Sequence, residues 1–229
     1  MTTRELADRT FDFVRVWAVL LAAGESTRMG ELKALLPWEG RALLRYQVDQ
    51  LLATPIERVV IVLGFQADEL VALIPSDDRV SVVRNLDYAS GKVSSILAGV
   101  ALVSGAPERA APHVLIVGVD QPRSAALFSE LCAIHSERVW HGGSDHVITI
   151  AGYRGRRGHP VLFGPALIPE LRQISEQTEG LRSVLVAHAK DVIVVETGDP
   201  LALVNLNRPE DYQAALRMRS TSSERAGNQ

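Results

Sequence analysis

Arg28 and Lys33 are two cations in a stretch that opens on the small residues Ala22, Ala23 and Gly24 and bends through Ser26 and Thr27. Small side chains let backbone N–H groups approach phosphate oxygens. Fixed cations neutralise the charge that develops when a phosphoryl bond breaks. Together these residue types are suited to holding a polyphosphate. The spacing is not that of a Walker A loop, because Gly30 is followed by Glu31 and the lysine comes later. It is not Gly-x-Gly-x-x-Gly either. From spacing alone, Gly24 and Gly30 serve equally well as turns between a strand and a helix.

Asp120 closes the run Val114-Leu-Ile-Val-Gly-Val-Asp120 and is followed by Gln121 and Pro122. A carboxylate at the end of a buried strand can hold Mg²⁺ against phosphate oxygens, or it can cap the helix that follows, a task Ser124 could also perform. Asn205 and Asn207 alternate in Leu203-Val-Asn-Leu-Asn-Arg-Pro209, which reads as a strand leading into a helix capped by Asn207 with Pro209 in its first turn. Ser94 and Ser95, after Gly91, either cap a helix or offer its N-terminus to a ligand. Arg154, Arg156 and Arg157 beside His159 form a small anion site or a solvated loop. His188 reads as structural, and His113, His135, His141 and His146 lack metal-ligand spacing.

Short valine- and isoleucine-rich runs must position these groups: 16–21, 59–63, 80–83, 114–117, 147–151, 192–195 and 203–206. Between them lie helical patterns at 42–52, 67–74, 93–103, 125–137 and 180–189, and 209–217 closes the series. This alternation predicts βαβ units and a mostly parallel sheet. Ligands in such sheets bind beyond the carboxyl ends of the strands, so the loops after Leu21, Leu63, Val83 and Val117 are where chemistry belongs. Residues 152–165 read as an insertion that rejoins the sheet near 161–163. The expected organisation is an arm over 1–15, one domain over 16–219 and a disordered tail over 220–229.

Of the 229 residues, 47% are hydrophobic, enough for one domain with a sizeable core. Lysine and arginine total 24 against 27 acidic residues, a net charge of −3 that leaves no electrostatic footprint for nucleic acid. The lone cysteine, Cys132, sits in an apolar helical pattern and reads as a buried, inert thiol. No run reaches membrane-spanning length and residues 1–15 lack a signal-peptide core, so the expected location is the cytoplasm.

The arrangement Leu-Ala-Ala-Gly-x-Ser-x-Arg-Met-Gly-x-x-Lys-x-Leu-Leu-Pro over residues 21–37 closely resembles the signature loop of the MobA-like nucleotidyltransferases, and within them the molybdenum cofactor cytidylyltransferases. Asp120-Gln-Pro resembles the central metal motif of that family, and the segment around Asn207 its closing motif. The resemblance spans about residues 16–217 and implies a three-layer α/β Rossmann-like nucleotidyltransferase fold. It also implies transfer of a nucleotidyl group from an NTP to a phosphorylated acceptor, with pyrophosphate leaving. By resemblance, Arg28 and Lys33 hold the triphosphate. Leu21, Ala22, Ala23, Gly24 and Ser26, with Asn85, Ser94, Ser95 and Gly99, line the nucleotide. Asp120 and Asn207 hold Mg²⁺, and Arg157 and His159 face the acceptor. This chain has Asn207 where the family usually has Asp, Arg208 where it has Thr, and Gln177 and Thr178 where it has Gly and Asp. The Ala-Ala-Gly form of the loop favours CTP over GTP. Molybdopterin or its molybdenum form is the implied acceptor, with a sugar phosphate or phospholactate as alternatives and a molybdoenzyme as the receiving partner. A non-catalytic nucleotide- or cofactor-binding homologue is the other class of reading.

Overall fold

The computed structural model describes residues 13–106, 111–142 and 144–226, so most of the expected arm over 1–15 lies outside the described residues. Strand β1 (Val16–Ala22) is wholly buried and alternates cleanly between two cores. Val16, Ala18, Leu20 and Ala22 face one, and Trp17, Val19 and Leu21 the other. A run that is apolar on both faces needs cover on both, and helices supply it.

After a short ribbon, β2 (Pro37–Trp38) with β3 (Arg41–Ala42), the chain alternates. The elements are α1 (Leu43–Leu52), β4 (Arg58–Leu63), α2 (Ala67–Val71), β5 (Val80–Arg84), α3 (Lys92–Ser104), β6 (His113–Gly118) and α4 (Ala125–Trp140). Then come β7 (Ile148–Tyr153), β8 (Arg156–Phe163), α5 (Ile168–Leu171), α6 (Leu181–Ala187), β9 (Val192–Glu196) and α7 (Pro209–Ala226). The main sheet has the order β5-β4-β1-β6-β8-β7-β9. All its pairings are parallel except those of β8, which runs antiparallel to β6 and to β7. Helices α1, α2, α4 and α7 contribute to the core on one face, and α3, α5 and α6 to that on the other. The three-layer, mostly parallel α/β architecture follows.

Three expectations need correction. Residues 203–206 are not a strand: Pro200–Leu203 is a 3-10 turn whose start is capped by Asp199, and the chain then runs irregularly to Asn207. Its apolar residues Leu201, Ala202 and Leu206 are buried in the core, and a short apolar run reads the same whether it pairs in a sheet or packs beside one. The stretch read as an insertion is mostly strand β8, joined to β7 by a two-residue turn in which Arg154 and Gly155 both have positive φ, 51° and 73°. That conformation matches the twist of an antiparallel pair. The tail expected to be disordered from 220 continues helix α7 as far as Ala226, since an established helix extends at the cost of one residue per bond.

Cys132 is buried and its thiol is pushed up to about 12 by desolvation, in keeping with an inert group. Among the described residues, no helix is long and apolar enough to cross a membrane. Two histidines that spacing leaves unassigned form a buried pair: His113 Nδ1 lies 2.8 Å from His135 Nε2, and His135 Nδ1 lies 2.7 Å from Thr149 Oγ1. Burial holds His113 down to about 4 and His135 to about 3, so both are neutral in the folded protein.

This pair sets an acid limit on the fold. Below about pH 6.5 the unfolded chain takes up protons that the folded chain refuses, so stability falls as pH falls from 6.5 towards 4. The expected loss is on the order of 1 kcal/mol per pH unit for each histidine. Urea unfolding midpoints should therefore drop between pH 7 and pH 5. A midpoint that is flat or rises over that range contradicts the assignment.

Candidate active site

At the carboxyl ends of β1 and β6 lies a cleft of about 470 Å³. Strand β1 delivers Leu21, Ala22, Ala23 and Gly24 to its wall, and the loop beyond supplies Ser26, Thr27, Arg28 and Lys33. That loop is folded tightly on itself. Ser26 has φ 59°, its carbonyl accepts the Met29 N–H at 2.8 Å, and its Oγ accepts the Lys33 N–H at 3.0 Å. Met29 is buried in the core and holds the loop down. The far end is anchored where Trp38 packs between Tyr46 and Tyr212, and the Tyr212 hydroxyl donates to the Pro37 carbonyl.

The loop aims Lys33 across the cleft. Its ammonium donates to Asp120 Oδ2 at 2.9 Å and to Asn207 Oδ1 at 3.1 Å, with only 12% of the Lys33 side chain exposed. Asp120 can fold back over the end of β6 because Gly118 has no Cβ; one there would overlap Asp120 Oδ1. Gln121 fastens the same corner: its Oε1 accepts the Gly118 N–H at 2.8 Å and its Nε2 donates to Asn205 Oδ1 at 2.7 Å. The Leu206 N–H donates to the Asp120 carbonyl at 2.8 Å. Three segments distant in sequence thus converge on one ammonium.

Behind the cleft Arg123 is fully buried. Its guanidinium donates to the carbonyls of His159 at 2.8 Å, Pro122 at 2.9 Å, and Ala202 and Val204 each at 3.0 Å. Burial pushes it down to about 9, against the attraction of Asp199 and Asp120, so it stays charged at neutral pH. His159 precedes a cis peptide to Pro160 and lines the cleft. Burial, and then the nearby cations Lys92 and Arg123, hold it down to about 4 despite Asp120. His159 is therefore an uncharged hydrogen-bonding group at neutral pH.

The cleft gathers most of the residues that the sequence singles out: Leu21, Ala22, Ala23, Gly24, Ser26, Arg28, Lys33, Ser95, Asp120, His159 and Asn207. Four others are not on its wall. Asn85 sits behind it, donating to Ser94 Oγ at 2.8 Å and Ser95 Oγ at 3.0 Å and accepting the Asp87 N–H at 2.9 Å. Ser94 is turned to the carbonyls of Asp87 and Gly91. Gly99 lies against Val19 of β1, where a Cβ would overlap the valine, so its smallness serves packing. Arg157 is exposed near the β7–β8 turn. Conversely, Thr27, Tyr88, Lys92, Gln121 and Asn205 line the cleft without an assigned role from sequence. Gln121, Lys92 and Asn205 lie inside the motifs already picked out, whereas nothing local marks Tyr88.

The MobA-like NTP transferase domain family matches residues 18–192. The chain is 25% identical to the molybdenum cofactor cytidylyltransferase of Escherichia coli over 197 residues, 86% of this chain and 93% of that protein. It is 34% identical to the nicotine blue oxidoreductase of Paenarthrobacter nicotinovorans over 177 residues, 76% of this chain and 83% of that protein. A nucleotidyl transferase from Methanothermobacter thermautotroptrophicus has the same fold, with a TM-score of 0.69 and 23% identity, over 90% of this chain and 99% of that one.

Arg123→Met leaves four carbonyls, those of Pro122 and Ala202 buried and those of His159 and Val204 part-buried, without their donor. An unfolding free energy lower by on the order of 3 kcal/mol is expected from urea denaturation. A loss below about 1 kcal/mol would show that these carbonyls find other partners.

Proposed function

The chain belongs to the MobA-like NTP transferase family and is a nucleotidyltransferase; from that premise we propose that it transfers a nucleotidyl group, CMP by preference, from an NTP to a phosphorylated acceptor. Molybdopterin or its molybdenum form is the favoured acceptor, ahead of a sugar phosphate or phospholactate, with a molybdoenzyme as the receiving partner. The single observation behind this reading is the Lys33 ammonium bridging Asp120 and Asn207 in a cleft whose wall also carries Arg28.

In the proposed reaction an oxygen of the acceptor's terminal phosphate attacks the α-phosphorus of the NTP. The bond from that phosphorus to the bridging oxygen breaks, and pyrophosphate leaves. Arg28 and Lys33 neutralise the triphosphate, and the small residues Ala22 to Gly24 let the nucleotide lie close to the backbone. The attacking phosphate is already ionised at neutral pH, so no general base is needed and a neutral His159 is compatible with the chemistry. The residues suit a hard divalent cation, because a carboxylate oxygen and an amide oxygen already converge on one positive charge. Asp120 and Asn207 would hold Mg²⁺, which when bound supplies charge neutralisation at the phosphate oxygens. Preference for CTP rests on Ala23, whose methyl group stands where a glycine would leave more room. An NTP-consuming reaction of this kind belongs in the cytoplasm.

A second reading, an oxidoreductase, has one specific support: a relative at 34% identity is named nicotine blue oxidoreductase. A dinucleotide hydride donor shares the nucleotide and pyrophosphate chemistry that this cleft offers. Consumption of reduced nicotinamide dinucleotide with a pigment acceptor, and no pyrophosphate from any NTP, would favour it.

The primary test is pyrophosphate release from each NTP with Mg²⁺ and a panel of phosphorylated acceptors. CTP should be the best donor. Lys33→Ala and Asp120→Ala should each lower kcat/KM by at least about 100-fold while the far-ultraviolet circular dichroism is retained. Near-normal rates in both would refute the assignment. Asn207→Asp should lower the Mg²⁺ concentration that gives half-maximal rate, because it replaces a neutral ligand with a charged one.

A further inference from the structure

The cleft follows the carboxyl edge of the sheet, where successive neighbours are β4, β1, β6 and β8. The β6 end carries Asp120, joined to Lys33 and Asn207, and β8 brings His159 beyond it. On the other side of Asp120 the wall is formed by Ala23 and Gly24, which follow β1, and by Tyr88. Tyr88 stands over the end of β4. Gly64 is the residue after that strand, and a Cβ there would overlap both the Ala23 carbonyl and the Tyr88 side chain. From β4 to β6 is two strand spacings, about 10 Å.

Tyr88 is held in this place from several directions. Its ring meets Phe65 edge-on, with centroids 6.2 Å apart. The Phe65 N–H donates to the Ala23 carbonyl at 3.0 Å, so the support of the ring is tied to the loop after β1. Buried Asn85 braces the turn that carries Tyr88: its N–H donates to the Leu63 carbonyl at 2.7 Å, its Oδ1 accepts the Asp87 N–H, and its Nδ2 reaches Ser94 and Ser95. Asn85 is off the cleft wall, yet it positions a residue that is on it. Tyr88 also packs against the apolar core under α3 while its side chain stays half-exposed. Among the described residues its hydroxyl makes no hydrogen bond. A fixed aromatic ring with no polar partner of its own offers the cleft a flat apolar surface.

Of the parts of a nucleotide, only the base is flat with apolar faces. The triphosphate belongs with Lys33 and Asp120, so the nucleoside extends from there along the edge of the sheet. The small residues that let it lie close to the backbone, Ala23 and Gly24, are on the Tyr88 side of that point. We propose that Tyr88 is a nucleobase-binding residue: the base of the NTP packs on its ring at the β4 end, and the acceptor enters from the β8 end. The assignment rests on the nucleotidyl-transfer reading of the cleft. Every base has a π face, so the ring adds affinity for any NTP and leaves the choice among them to Ala23.

The test titrates the full chain calorimetrically with Mg²⁺ and no acceptor, so that no transfer takes place. CTP probes the whole donor, and inorganic tripolyphosphate probes its phosphates without a base. Tyr88→Ala should weaken CTP about tenfold and leave tripolyphosphate within about twofold, and Tyr88→Phe, which keeps the ring, should hold CTP within about threefold of wild type. Lys33→Ala is the control and should weaken both ligands. If Tyr88→Ala loses the native far-ultraviolet circular dichroism, Tyr88→Leu, which keeps apolar bulk against Phe65 without a ring, replaces it with the same expectation. The proposal is overturned if the wild type fails to bind either probe, if the ringless variant leaves CTP unchanged or weakens tripolyphosphate as much as CTP, or if Tyr88→Phe loses as much as the ringless variant. Failure of the underlying reading looks different: no pyrophosphate from any NTP and acceptor pair in the wild type, whatever the titrations give.

Discussion

A guanidinium buried among backbone carbonyls is the constraint on which the cleft depends. Arg123 holds His159, Ala202 and Val204 at hydrogen-bonding distance from a point just past Asp120 and Gln121. Carbonyls stabilise the charge without neutralising it, so each one lost raises the cost of keeping the guanidinium out of water. That cost makes the arrangement close to all-or-none. The segments it ties together carry Asp120, His159, Asn205 and Asn207, so their mutual distances follow from one side chain none of whose own atoms needs to meet a substrate. Gln47 of α1 reinforces the corner, accepting the Arg123 N–H at 3.0 Å and donating to the Gln121 carbonyl at 2.6 Å.

The polar front of the site stands on that support. Lys33 reaches Asp120 and Asn207 because the loop after β1 is pinned at Ser26 and Met29, and Asp120 can meet it because Gly118 leaves room. An ammonium between two oxygens keeps the cleft electrostatically satisfied before substrate arrives. The pair of oxygens is also a ready set of hard donors. Substituting asparagine for a carboxylate at 207 lessens the negative charge of this corner without removing its geometry.

Strand β8 has a particular part in this. Because it runs antiparallel to β6 and β7, it starts at the cleft edge of the sheet, and His159 and Pro160 lie there rather than at the opposite end. Gly158 lets the backbone pass close to the Ala202 carbonyl, where a Cβ would overlap it. The buried His113–His135 pair, by contrast, begins at the first residue of β6, the end remote from Asp120. Acid sensitivity of the fold and chemistry of the site are thus separated along the same strand.

Periodicity and residue type were enough to read the alternating strands and helices, the mostly parallel sheet, and the grouping of Arg28, Lys33 and Asp120 at strand ends. Those properties are local: an apolar run has to be buried, and the loop after a parallel strand opens at one edge of the sheet. Residues 203–206 could not be read in the same way, because a short apolar segment satisfies its side chains equally as a strand or as irregular chain packed against the core. The sequence likewise marked Asn85, Ser94, Gly99 and Arg157 together with the cleft residues, since motif membership says nothing about which side of a loop faces the ligand. Only the tertiary structure decided that Arg123 is the shared support, that His159 is neutral, and that Tyr88 lies on the cleft wall beside Ala23. Each of these depends on distances and desolvation between segments far apart in the chain, and such quantities exist only once the sheet has set its strand order.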